Sequence, residues 1–239
     1  MQRYLSMGSL FTAVAAMLVL QFAAAANTAT EPVNRPQKGW MMRHESFNER
    51  VKQGNADLLM IGDSITHGWE GPGKAVWDQY YAKRNAVNLG ISGDRTEHVL
   101  WRLQHGNIDG IHPKLAVIMI GTNNHADNSA EEIAEGVNAI VALLRDKLPE
   151  MKILILGIFP RDEQPGTDNR KKLAEANSII QKTADGEMIH YLDIGQAFLT
   201  EDGVLTKEIM PDALHPNEKG YEIWAAAMED QIAGLMGEK

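Results

Sequence analysis

Five residues far apart along the chain have the types that acyl transfer requires. Ser64 follows the apolar run Leu58-Leu59-Met60-Ile61 through Gly62-Asp63, so a hydroxyl stands where a buried strand stops. A serine hydroxyl attacks a carbonyl only when a base removes its proton, another group orients that base, and donors hold the developing oxyanion. Asp212-Ala213-Leu214-His215 supplies a carboxylate and an imidazole within one loop. His215 would take the Ser64 proton through one ring nitrogen while Asp212 fixes the other. Gly93 and Asn123 follow two further apolar runs. They offer a backbone N–H and a side-chain amide, which with the Ser64 N–H make three oxyanion donors.

Positioning these groups falls to a regular alternation of elements. Apolar runs at 58–61, 86–89, 115–120, 153–158 and 189–194 read as strands, the last an edge. Between and around them apolar residues recur at helical spacing, as in Trp40, Phe47 and Val51, or Ile133, Val137, Ile140 and Leu144. Asp94 with Glu97, and Ser129 with Glu132, have the spacing of capping boxes, and Pro216 stands where the last helix would open. Five strand and helix alternations predict a doubly wound α/β layer around a parallel sheet. Ligands of such sheets bind beyond the carboxyl ends of the strands, which brings Ser64, Gly93 and Asn123 to one rim.

Gly62-Asp63-Ser64, Gly93, Gly121-Thr122-Asn123-Asn124 and Asp212-x-x-His215 resemble the four blocks of the SGNH (GDSL-like) hydrolase superfamily. Residues 88–94 and 98–103 are more narrowly similar to the catalytic subunits of type Ib platelet-activating-factor acetylhydrolase and their bacterial esterase relatives. The resemblance spans residues 57–224. It implies a three-layer flavodoxin-like sandwich with a five-stranded parallel sheet and ester hydrolysis without a cofactor. It also assigns the family's serine, glycine, asparagine, aspartate and histidine to Ser64, Gly93, Asn123, Asp212 and His215. The phospholipid substrate and regulatory partner of the animal enzymes do not carry over, because this chain opens with an export signal.

That signal is Arg3, an apolar run over 7–20, and Ala24-Ala25-Ala26 before Asn27. It predicts a signal peptide over 1–26, a periplasmic or secreted product and no stable membrane insertion after cleavage; the alternative is an uncleaved membrane anchor, against which Gln21 and the terminal alanines favour cleavage. Residues 27–38, polar with Pro32 and Pro36, read as a flexible leader, and 39–239 as one hydrolase domain. The 239 residues carry a net charge of −9 and no basic cluster, which excludes nucleic acid as a partner. Zero cysteines exclude disulfides, thiolate chemistry and lipidation.

Compact connections and a polar, glycine-rich loop after Ser64 favour a small acyl group on a large solvated alcohol. The expected activity is hydrolysis of short-chain esters, O-acetyl groups on carbohydrate above all. The alternatives are a lysophospholipase, a thioesterase or a platelet-activating-factor acetylhydrolase-like lipid esterase, and, outside the enzymes, a non-catalytic carbohydrate-binding module. Trp69 is the first candidate for contacting a sugar ring or walling the acyl pocket, although packing alone is the role that its residue type favours. Asp94 and His98 lie four apart on one helix but lack a third ligand, so no metal site is expected.

Overall fold

The computed structural model describes residues 26–238. The signal peptide expected over 1–26 lies outside them except for Ala26. Apolar runs bounded by glycine or polar residues become β1 (Leu58–Gly62), β2 (Ala86–Gly90), β3 (Leu115–Met119), β4 (Lys152–Leu156) and β5 (Ile189–Leu192). All neighbours pair in parallel, in the order β2-β1-β3-β4-β5. The helices are α1 (Lys38–Val51), α2 (Ser64–His67), α3 (Lys74–Tyr80), α4 (Thr96–Gln104), α5 (Ala130–Lys147), α6 (Asp168–Ile180) and α7 (Glu218–Met236).

Side chains alternate across the pleat, which makes two cores from one sheet. Leu59, Ile61, Ala116 and Ile118 pack with α1, α4, α5 and α6, while Leu58, Met60, Leu115 and Val117 pack with α3 and α7. Each fully buried leucine or isoleucine contributes roughly 1.5–3 kcal/mol, so the strand ends are held firmly. The direction of winding reverses between β1 and β3, the switch point where a crevice opens. Gly62 pairs with Gly90 on one side and Met119 on the other. The loops leaving β1, β2 and β3 therefore rise from one level.

Residues 27–37 are a correction to the sequence expectation of a flexible leader. A short 3-10 turn, Thr28–Thr30, sits against α4 and α5 with Ala29 fully buried. Thr96 Oγ1 donates to Ala29 O at 2.8 Å, Val33 N–H to Glu97 O at 3.3 Å, and the Asn27 amide to Glu132 O at 3.2 Å. Gly136 of α5 permits the approach, because a Cβ there would lie 2.8 Å from Ala29 O. The anchor is one alanine and a few backbone groups, so composition alone reads the segment as a linker.

The Ser129 and Glu132 box forms as expected, with bonds of 3.2 and 2.9 Å. Asp94 does not cap α4. His98 Nδ1 instead accepts the Arg95 N–H at 3.0 Å, and Asp94 turns inward. Asn217, one residue after Pro216, caps α7 by accepting the Gly220 N–H at 3.1 Å.

Candidate active site

β1 ends on Gly62, and Asp63 turns the chain straight into α2. Its Oδ1 accepts the Ile65 N–H at 2.9 Å while its carbonyl accepts the His67 N–H at 2.8 Å. Ser64 is thereby the first helical residue, half-buried at the rim, and its N–H has no acceptor among the described residues. Tyr221 of α7 donates to Ile65 O at 2.6 Å. The helix that follows His215 thus also braces the turn that carries Ser64.

Ser64 Oγ lies 2.8 Å from His215 Nε2, and His215 Nδ1 lies 2.6 Å from Asp212 Oδ2. An ionised carboxylate can only accept, so the ring proton sits on Nδ1 and Nε2 is left to receive the serine proton. Asp212 Oδ1 also accepts the Leu214 and His215 N–H groups at 3.1 and 2.7 Å. Partial burial pushes the Asp212 carboxyl up, but these bonds from His215 and Leu214 outweigh it and hold it below the ordinary carboxylate value. The loop closes through Ala213 at φ +58°, a conformation costly for a side-chain-bearing residue.

Gly93 adopts φ +78°, which glycine takes freely, and its N–H has no acceptor among the described residues. Asn123 Nδ2 donates to Asp94 O at 2.9 Å and stands 3.5 Å from Asp63 Oδ2. The Asp94 carboxylate, fully buried, accepts Trp40 Nε1 at 2.6 Å and Arg102 Nε at 2.8 Å, while Arg102 Nη2 donates to Gly62 O at 2.9 Å. One buried ion pair thus ties the Gly93 loop, the end of β1 and Asn123 together. Those bonds occupy Asp94, and His98 is turned to Arg95, so the two do not form a ligand pair.

Residues 60–223 match the model of the GDSL-like Lipase/Acylhydrolase family. The chain belongs to this family. The acylhydrolase is 36% identical over 203 residues to human platelet-activating factor acetylhydrolase IB subunit alpha2, covering 83% of this chain and 86% of the relative. To the alpha1 subunit of Bos taurus it is 33% identical over 201 residues, covering 82% and 84%. Two solved structures share the fold. A GDSL-like lipase from Bacteroides thetaiotaomicron has a TM-score of 0.67 at 22% identity, covering 81% of this chain and 97% of that one. An acetylxylan esterase from Geobacillus stearothermophilus has 0.59 at 18%, covering 78% and 97%. The protein is a carboxylic ester hydrolase.

Of the two roles open to Trp69 the structure shows packing and not a sugar contact. It is fully buried, with its ring centroid 4.5 Å from Tyr221 and 4.8 Å from Trp224. What opens beside Ser64 is a cleft of about 370 Å³ lined by Ser64, His67, Gly68, Glu70, Gly71 and Ser92. His67 Nδ1 and Ser92 Oγ are 2.9 Å apart, and Arg43 grips both Glu70 oxygens at 2.9 Å. Burial, then Arg43, holds the His67 imidazole below its usual value. A second cavity of about 440 Å³ lies beyond β4 and β5 and does not reach Ser64. Arg161, which sequence reasoning passed over although it too follows a strand end, braces the loops around the site. Its Nη1 donates to Thr122 O at 3.0 Å, and the next N–H, of Asp162, to Ala213 O at 3.0 Å. The loop after β4 so fixes the Asn123 and His215 loops against each other.

Asp63 is fully buried beside Ser64, and burial pushes its carboxyl up from 3.8 to about 7. Between those values the folded state holds a proton that the unfolded chain has released, so stability falls as pH rises through the window. At about 1.4 kcal/mol per pH unit, the loss is at most about 4 kcal/mol. Asp63→Asn keeps an acceptor for Ile65 and never ionises. Urea unfolding at pH 5 and pH 8 should show the wild type losing more stability over that interval than the variant. Equal losses would remove the assignment of a raised Asp63.

Proposed function

We propose that this hydrolase is an exported serine esterase that removes acetyl groups from carbohydrate through an acyl-enzyme on Ser64. Ser64 Oγ attacks the acyl carbon as His215 Nε2 takes its proton, and the oxyanion is received by the Ser64 N–H, the Gly93 N–H and the Asn123 amide. His215 then gives the proton to the departing sugar oxygen. Water attacks acetyl-Ser64, losing its proton to His215, and acetate leaves as Ser64 is restored. Asp212 keeps the ring oriented and balances the imidazolium formed in each half.

The observation that carries the substrate class is the cleft beside Ser64, whose lining is hydroxyl, imidazole, carboxylate and glycine. Sugar hydroxyls both donate and accept, which matches Glu70, His67 and Ser92. A long acyl or alkyl chain placed there would desolvate these groups without replacing their bonds. The relatives named acetylhydrolases support the acetyl group. No helix among the described residues is long and apolar enough to cross a membrane. The export signal is tested by sequencing the amino terminus of the product outside the cytoplasm, expected to start at Asn27.

For the substrate, kcat/KM should fall steadily along p-nitrophenyl esters from acetate to decanoate, and acetate should be released from acetylated xylan or acetylated monosaccharides. Preference for decanoate with no acetate from any sugar would replace this assignment by a lipid esterase and leave the serine mechanism standing.

A further inference from the structure

The loop that carries Gly93 is gripped from outside by a side chain belonging to the docked amino-terminal segment. Arg35 lays its guanidinium over Gly93, where a Cβ would lie 3.1 Å from Nη1 and 3.3 Å from Nη2. Nη1 donates to Ser92 O at 2.7 Å and stands 3.4 Å from Asp94 Oδ1. One nitrogen therefore engages the residues on both sides of the glycine. The segment is itself fixed by Ala29 and by the Val33 N–H on Glu97 O, so Arg35 is presented from a settled backbone. Its side chain remains 23% exposed at the rim.

The loop needs such a grip. Between Gly90 and Arg95 the backbone is held by Arg43 Nε on Gly90 O at 2.7 Å, the Ile91 N–H on Gly62 O at 3.3 Å, the Asp94 N–H on Ile91 O at 3.1 Å and the Asn123 amide on Asp94 O at 2.9 Å. None of these bonds reaches the peptide between Ser92 and Gly93, whose N–H would meet the oxyanion. A glycine at φ +78° moves easily among neighbouring conformations. Fastening the Ser92 carbonyl orients that same peptide plane, because its C=O and the Gly93 N–H are rigidly opposed. Charged contacts add to the hold, since Asp94, the residue after Gly93, lies between two guanidinia, Arg102 at 2.8 Å and Arg35 at 3.4 Å.

We propose that Arg35 is a positioning residue for ester hydrolysis: by fastening the Ser92 carbonyl it aims the Gly93 N–H at the oxyanion. The proposal rests on Gly93 being an oxyanion donor. Small misplacement of such a donor costs up to about 10²-fold in rate, and loss of a whole donor about 10²–10³.

The test uses the full chain with Arg35→Ala and Arg35→Lys, p-nitrophenyl acetate as substrate, and diethyl p-nitrophenyl phosphate to count reactive serines. For Arg35→Ala, kcat per titrated site should fall about 10- to 100-fold with KM within about threefold. Arg35→Lys, which can still donate to Ser92 O, should recover most of it. A wild-type kcat per titrated site, with only fewer active sites or a lower Tm, would reduce Arg35 to a structural contact and overturn the proposal. A rise confined to KM would overturn it too, making Arg35 a substrate contact. Ser64→Ala measured alongside separates the two levels: turnover near wild type in that folded variant removes the underlying serine mechanism itself, whereas its loss with a silent Arg35→Ala removes this proposal alone.

Discussion

Ser64→Ala and His215→Ala are each expected to lower kcat for p-nitrophenyl acetate by about 10⁴–10⁶, with the fold intact. The size follows from what each change removes. Ser64 Oγ and His215 Nε2 are 2.8 Å apart, and without either one the serine proton has nowhere to go at the moment of attack. Stability should hardly move, since Ser64 is half-buried and the His215 side chain is 42% exposed. Ser64→Ala loses one hydrogen bond and His215→Ala two, each of about 1 kcal/mol and at the partly exposed rim, and no cavity opens. Because the two act as a unit, the double variant should be no slower than the worse single one. Circular dichroism and Tm establish folding, and kinetics with an excess of substrate establish kcat. Turnover near wild type in either folded variant would dissolve the proposed triad.

Much of this site could be read from sequence because its parts are local. Ser64 and Asn123 follow uninterrupted apolar runs and Gly93 comes shortly after a third run, and in a parallel sheet the ends of those runs share one edge, so the three had to converge. Asp212 and His215 bond within three residues. What escaped depends on partners distant in sequence. The glycine-rich surroundings of Trp69 suggest an exposed loop, yet Tyr221 and Trp224 of α7 close over it. The spacing of Asp94 and Glu97 does fit a cap, but Trp40 and Arg102 offer Asp94 stronger charged or buried bonds than a helix end would. The docked segment escaped for the opposite reason. It has no periodicity, and its hold is one buried alanine and backbone carbonyls that any composition could supply.

Asn123→Ala should cost about 10²–10³ in kcat with little change in KM, the loss of one donor used mainly in the transition state. The geometry separates the two hydrogens of its amide. One is fixed on Asp94 O at 2.9 Å; the other has only Asp63 Oδ2, at 3.5 Å, too far for a firm bond. The first hydrogen holds the amide in place, and the second is free to meet an oxyanion. A purely structural asparagine looks different, and the chain provides one next door. Asn124 is fully buried, accepts the Thr96 N–H at 3.1 Å and donates to Thr96, Glu97 and Asn128, leaving nothing for a substrate. Asn124→Ala strands those partners in the core, so its effect should appear in Tm, with kcat per titrated serine largely kept. Asn123→Ala should show the reverse. If both variants lost stability alike and neither lost kcat per site, Asn123 would join its neighbour as a brace, and the oxyanion would rest on the Ser64 and Gly93 N–H groups alone.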